Sequence, residues 1–267
     1  MLNTLWEIRE KVRDLSPLVV NLTNNVVTNF TANVLLAAGA SPIMSEGVEE
    51  ADDLVKIANA VVINIGTLHS RQVEYFKKAV YLANKYQKPL LLDPVGLGAT
   101  TYRNETTFEL LNSGNFTLIR GNYGEISFLA GNSAQVKGVD SQTSDFAAEN
   151  LTEVAKRYKT VVVATGPVDY VIAEGELYLN RTGDIMLQKV TGTGCALTSL
   201  IGAFVGVIDE PALAALAALA FYGAASEKAR KISAGPGSFL VNFIDSLYNL
   251  TKEEFLELTT EKVQGLR

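Results

Sequence analysis

The feature that most constrains this chain is a run of short strands that are apolar on nearly every residue, each followed by a helical pattern. Leu18–Leu22, Val61–Ile65, Pro89–Leu92, Phe116–Ile119 and Thr160–Ala164 read as such strands, and Asn25–Ala38 and Arg71–Tyr86 as intervening helices. A strand without a polar face must be covered on both sides, and parallel neighbours need long crossovers, which helices supply. The expected class is α/β: a mostly parallel central sheet with helices on both faces, a three-layer sandwich. After Thr165 the pattern changes. Tyr170–Ile172 and Leu177–Leu179 flank Glu174-Gly175-Glu176 and predict a hairpin, and the last third reads as mostly helical. No repeat, low-complexity tract or linker interrupts the 267 residues, so 1–267 is expected to form a single domain.

Composition narrows the function classes. Apolar residues make up 48% and charged residues 19%, which suits a globular core and excludes disorder. The net charge of −6 with no basic stripe gives no nucleic-acid footprint. The most apolar stretch, Ala196 to Ala225, is broken by Asp209-Glu210-Pro211 into halves short for a bilayer, so no membrane span is expected. The single cysteine permits no internal disulfide, and the amphipathic N-terminal segment is unlike a secretory signal, so a cytoplasmic setting is expected.

Ligands of open parallel sheets bind at the carboxyl ends of the strands. Polar residues gather at those ends here: Asn21–Asn25, Asn64–Thr67, Asp93, Arg120–Glu125 and Thr165. The most chemical segment is Val190-Thr191-Gly192-Thr193-Gly194-Cys195, immediately before a long apolar helix. Glycines there allow backbone N–H groups to converge on an anion at the positive end of the helix dipole. Gly192, Thr193, Gly194 and Cys195 are thus a candidate anion hole. The same pattern also serves as a plain tight turn into a core helix, and it is neither a Walker motif nor a dinucleotide fingerprint. A thiol on the first turn of a helix is expected to have a lowered pKa and to serve as a base or hydrogen-bond partner, unless Cys195 is only a small core residue. A cysteine nucleophile would need a histidine, and the one histidine, His69, has no visible pairing with it. In Arg120-Gly-Asn122-Tyr-Gly-Glu125, Arg120 is placed to reach phosphates, while Asn122 and Glu125 suit either a capping box or a cation site. Asp93 is the second acidic candidate, and Thr165-Gly166 a weaker phosphate contact.

Taken together, Asn21-Leu-Thr-Asn24-Asn25, Pro42-Ile-Met44, Asn64-Ile-Gly66-Thr67-Leu68, Asp93-Pro-Val-Gly96, Ile119 to Glu125, Thr165-Gly166, Val190 to Cys195 and Gly235-Pro-Gly-Ser-Phe239 occur in order along nearly the whole chain. In this the chain resembles the hydroxyethylthiazole kinases of thiamine biosynthesis and salvage, within the ribokinase-like superfamily. The resemblance implies ATP- and Mg²⁺-dependent phosphorylation of 4-methyl-5-(2-hydroxyethyl)thiazole by a homotrimer with active sites at subunit interfaces. It further implies that Arg120 and Thr165 contact ATP, that Met44 and Gly192 contact the thiazole with Asn25 and Thr67 nearby, and that Asp93 and Glu125 lie by the metal. Cys195 falls where most ribokinase-like enzymes carry an aspartate base. One departure is the early loop, where the family often has histidine and this chain reads Val20-Asn21-Leu22. Kinases of other small alcohols such as hydroxymethylpyrimidine, an ATP-dependent hydrate dehydratase, a non-catalytic nucleotide sensor and a cysteine hydrolase are the alternatives.

Overall fold

A computed structural model describes residues 1–132, 143–173 and 175–266. The strands are β1 (Leu18–Leu22), β2 (Ser41–Met44), β3 (Ala60–Asn64), β4 (Leu90–Asp93), β5 (Leu118–Asn122), β6 (Val161–Thr165), β7 (Asp169–Ala173), β8 (Glu176–Asn180) and β9 (Val263–Leu266). They form one sheet in the order β2-β1-β3-β4-β5-β6-β7-β8-β9. The pairings from β2 through β6 are parallel, and those from β6 to β9 antiparallel. The hairpin expected after Thr165 is β7–β8, with Ala173 opposite Glu176. Glu174 lies outside the described residues.

Two layers of helices cover the sheet. α1 (Leu2–Leu15), α2 (Thr28–Ala38), α8 (Thr193–Val205), α9 (Pro211–Lys231), α10 (Pro236–Asn249) and α11 (Lys252–Thr259) share one core with Val19, Val62, Leu91, Leu118 and Val163. α3 (Ala51–Ile57), α4 (Ser70–Lys85), α5 (Thr101–Ser113), α6 (Tyr123–Leu129) and α7 (Thr143–Tyr158) share the other with Val20, Val61, Ile63, Leu92, Ile119 and Val162. Successive strand residues therefore enter opposite cores, which is why the central parallel strands are apolar on consecutive residues until their carboxyl ends. The Asp209-Glu210-Pro211 interruption ends one apolar helix and begins the next, with Pro211 at the first position of α9 where its missing N–H leaves no bond unmade. No helix among the described residues is long and apolar enough to cross a membrane.

One helix boundary differs from the sequence expectation. α2 begins at Thr28, not at Asn25. The Asn25 amide is taken by Thr67 Oγ1 at 3.3 Å, and Val27 N closes a turn onto Asn24 O at 3.3 Å. The segment after β1 is thereby held as a loop at the strand's carboxyl end.

α8 lies close to the sheet. A Cβ at Gly202 would stand 2.9 Å from Val62 Cγ2 and 3.5 Å from Val19 Cγ1, both on fully buried strand residues. Gly202→Ala gains about 1 kcal/mol of helix propensity, but the overpacking against immobile β-branched side chains costs about 1–3 kcal/mol. The expected result is a net loss on the order of 1 kcal/mol in denaturant unfolding. A variant more stable than the parent would show that α8 can lift from the sheet.

Candidate active site

The sequence candidates at the strand ends come together around Asp93, the last residue of β4, of which 1% is exposed. Its Oδ2 accepts from Asn64 Nδ2 at 3.0 Å and Thr198 Oγ1 at 2.7 Å, and lies 3.7 Å from Arg120 Nη1. Its Oδ1 is buried without a hydrogen-bond partner among the described residues. Asn64, ending β3, also accepts through Oδ1 from Asn24 Nδ2 at 2.9 Å and from the Gly66 amide at 3.0 Å. Asn24 reaches Cys195 Sγ at 3.5 Å. A continuous chain of polar contacts thus runs from Cys195 through Asn24 and Asn64 to Asp93.

Arg120 extends from β5 beneath the start of α8. Its Nη2 donates to Thr165 Oγ1 at 2.6 Å, and a Cβ at Gly194 would come 3.0 Å from Nη1. Arg103 from α5 donates to the carbonyls of Ile65 and Val95 and ties down the loops after β3 and β4. Glu125 completes the capping box expected at Asn122: Asn122 Oδ1 accepts from the Glu125 amide at 2.9 Å, and Glu125 Oε2 accepts from the Asn122 amide at 2.8 Å. Glu125 Oε1 additionally accepts from the Gly96 amide at 2.8 Å, which joins the loop after β4 to α6.

Gly192 begins α8 with φ +88°, and a Cβ there would stand 2.7 Å from Val27 Cγ1. Both the left-handed backbone and the contact with the loop after β1 exclude a side chain. Asn25 and Thr67 meet each other on this side, and Met44 closes β2 opposite Asn21. Arg120, Thr165, Gly166, Thr193 and Gly194 line a cleft of ≈ 460 Å³ together with residues 181–185 and Tyr222. His69 is engaged locally: its Nδ1 accepts from the Gln72 amide and caps α4.

The electrostatics correct one expectation. Cys195 does sit on the first turn of α8, but its thiol is pushed up to about 11, not lowered. Burial is the main cause and the nearby Asp93 charge the second; hydrogen bonds from Asn64 and Asn24 and the charge of Arg120 pull weakly the other way. The thiol is neutral at physiological pH. Together with the capping role of His69, this removes the basis for a cysteine hydrolase. Burial also raises the Asp93 carboxyl, opposed by Arg120, and raises Glu125, where the Asp93 charge adds to the shift.

Two buried carboxylates, both raised by burial and one with an unused oxygen, suit a hard cation. Among the described residues no group of three or more His, Cys, Asp or Glu gathers to form a full metal cage. Such a pair fits the way Mg²⁺ is held, by one or two carboxylates with water and substrate oxygens completing its shell. Thr198 and Tyr222 carry no sequence motif. Thr198 had a signal in its spacing, three residues after Cys195 on the same helix.

Comparison with known proteins agrees with this geometry. The hydroxyethylthiazole kinase family model matches residues 9–253. A hydroxyethylthiazole kinase from Methanococcus vannielii is 47% identical over 92% of this chain and 93% of its own length. The structure of a hydroxyethylthiazole kinase from Pyrococcus horikoshii superposes with a TM-score of 0.91 at 41% identity, covering 99% of this chain and 100% of that one. A ribokinase-like superfamily protein from Enterococcus faecalis shares the fold at a TM-score of 0.63 and 14% identity, covering 91% of this chain and 89% of that one.

The neutral thiol is directly testable. With its pKa moved from 9.0 to about 11, Cys195 holds a thiolate fraction at pH 8 about 100-fold below that of an ordinary thiol. Alkylation by iodoacetamide, followed by mass spectrometry across pH, is expected to stay slow at pH 8 and to rise only toward pH 11. A reactivity midpoint below pH 9 would contradict the burial argument.

Proposed function

The chain belongs to the hydroxyethylthiazole kinase family, and we propose that the cleft at the carboxyl ends of β1, β3, β4, β5 and β6 is where it carries out the family's reaction. The enzyme phosphorylates the hydroxyl of 4-methyl-5-(2-hydroxyethyl)thiazole at the expense of ATP, in thiamine biosynthesis or salvage. The observation that carries the site assignment is the convergence of Arg120, the buried Asp93 and the glycine-rich start of α8. An arginine and a helix N-terminus meet the charge of a transferring phosphoryl group, and a carboxylate pair offers the place for its cation.

In this reading ATP lies in the ≈ 460 Å³ cleft, with Arg120 and Thr165 at its phosphates. The amides of Gly192, Thr193, Gly194 and Cys195 face the transferred group. Asp93, through its open Oδ1, and Glu125 would hold Mg²⁺, directly or through water, and the ion when bound would neutralise charge on the phosphate oxygens. Met44, Asn25, Thr67 and Gly192 surround the thiazole alcohol. Phosphoryl transfer passes through a loose transition state in which alignment and charge neutralisation dominate. A neutral Cys195 fits that demand: it orients the acceptor hydroxyl by hydrogen bonding and is too weakly acidic to act as a thiolate base.

Residues 1–267 act as one kinase domain, a reading supported by the single sheet that takes its last strand, β9, from the C-terminal end. The homotrimer with active sites at subunit interfaces draws support from Val26 and Leu36. These are apolar and well exposed at 62% and 58%; Val26 follows Asn25 directly, and Leu36 lies on α2, the helix into which that loop leads. A cytoplasmic setting supplies ATP and Mg²⁺.

The test is coupled ADP release with the thiazole alcohol and with the hydroxymethylpyrimidine alcohol. Thiazole-dependent turnover is expected, and turnover with the pyrimidine alone would reject the substrate assignment. Glu125→Gln is expected to raise the Mg²⁺ concentration for half-maximal rate by about 10- to 100-fold; an unchanged titration removes Glu125 from the metal site. Cys195→Ala is expected to lose less than about 10-fold in kcat, whereas loss of a general base costs about 10²–10⁴-fold.

A further inference from the structure

One face of α9 carries four residues that the family motifs leave aside: Tyr222, Gly223, Ser226 and Glu227. Helical spacing puts them on neighbouring positions of a single surface. Each engages backbone that lines the nucleotide cleft. The Tyr222 hydroxyl donates to the Thr193 carbonyl at 2.8 Å. Ser226 Oγ accepts from the Asp184 amide at 3.1 Å while donating to Gly223 O at 2.7 Å. Glu227 Oε1 accepts from the Gly183 amide at 3.0 Å, and its Oε2 is paired with Lys262 Nζ at 2.6 Å. Gly223 admits the same segment, since a Cβ there would stand 2.0 Å from Thr182 Oγ1.

The contact at Thr193 matters because of peptide planarity. The Thr193 carbonyl and the Gly194 N–H belong to one planar trans unit and point in opposite directions. Fixing the carbonyl from behind therefore fixes the direction of the Gly194 N–H at the front. The Tyr222 ring is itself immobilised: it is 3% exposed and stands edge-on to Phe243, with ring centroids 4.7 Å apart. Burial raises its phenol above the ordinary tyrosine range, so the hydroxyl remains protonated and a donor at physiological pH.

We propose that this face of α9 is a positioning clamp for phosphoryl transfer, in which Tyr222 aims the Gly194 amide at the transferred group while Ser226 and Glu227 hold the 182–184 segment against the nucleotide. The assignment rests on the kinase reading above. It divides the labour between two residues one turn apart: Tyr222 governs the reacting end of the cleft, and Ser226 governs nucleotide binding.

The test uses the full-length enzyme and the variants Tyr222→Phe and Ser226→Ala. Outright removal of one transition-state hydrogen-bond donor costs about 10²–10³-fold in kcat. Misaiming the amide is expected to cost less, so Tyr222→Phe should lower kcat by about 10-fold and leave KM for ATP within about twofold. Ser226→Ala should raise KM for ATP and the Kd for ADP by about 3- to 10-fold, with the smaller effect on kcat. Calorimetry with ADP plus aluminium fluoride, a mimic of the transferring phosphoryl group, needs no acceptor. Tyr222→Phe should weaken that complex and spare ADP alone, so this arm stands even if the thiazole alcohol proves to be the wrong substrate. Should Tyr222→Phe not fold, Glu227→Gln joins Ser226→Ala, and the clamp is upheld only if both weaken ADP. The proposal is overturned if Tyr222→Phe keeps kcat within twofold of wild type. It is equally overturned if both variants shift kcat and KM together in step with a fall in Tm, as a general loss of packing would.

Discussion

A carboxylate buried at the end of a parallel sheet is the constraint on which this site depends. Asp93 cannot be left in an apolar surrounding without compensation, because an isolated buried charge is among the most costly features a fold can contain. Compensation comes from three directions: Asn64 from the neighbouring strand β3, Thr198 from the helix above, and Arg120 from β5. All three reach toward Oδ2, and Oδ1 is left without a partner among the described residues. Partners sufficient to keep the group folded, yet too few to satisfy it, are what a carboxylate needs if it is to meet an incoming cation.

Burial, with the same charge in second place, sets the state of the thiol. Cys195 occupies a helix start, where the dipole favours a thiolate, but Asp93 and burial act in the opposite direction and prevail. A dipole effect at a helix terminus amounts to about 0.3–1 kcal/mol in exposed settings. A shift of one pKa unit already corresponds to about 1.4 kcal/mol. The rise of the thiol to about 11 therefore outweighs a dipole effect of that size. A site built around a buried anion has little use for a second anion beside it. Cysteine supplies there the size and hydrogen-bonding reach of an acceptor-facing group while remaining neutral.

Much of this was legible in the sequence, for identifiable reasons. β1, β3, β4, β5 and β6 are apolar on consecutive residues because alternate side chains feed two different cores, and that is visible without coordinates. The capping box at Asn122 and Glu125 is local, so its spacing reveals it. What sequence could not show was anything fixed by long-range approach. The Cys195 pKa depends on Asp93 and Asn24, which are far away along the chain. The start of α2 at Thr28 depends on Thr67 capturing the Asn25 amide. Tyr222 lies in an alanine-rich helix whose pattern announces only burial, and its role emerges once α9 is seen to pass behind the start of α8.

The close approach of α8 to the sheet links core packing to chemistry. Thr198 reaches Asp93 at 2.7 Å only if the helix sits low over the carboxyl end of β4. One turn further on, Gly202 permits that height, since any side chain there would strike Val62. The first turn of the same helix then brings Gly192 against Val27 and Gly194 against Arg120. The positions of the anion-facing amides above the sheet are thus set by a packing contact about two turns away. A helix raised by one methyl group would loosen Thr198 from Asp93 and carry the amides away from Arg120 together. The glycine in the core and the glycines at the helix start answer to one requirement, that α8 lie as close to the strand ends as backbone allows.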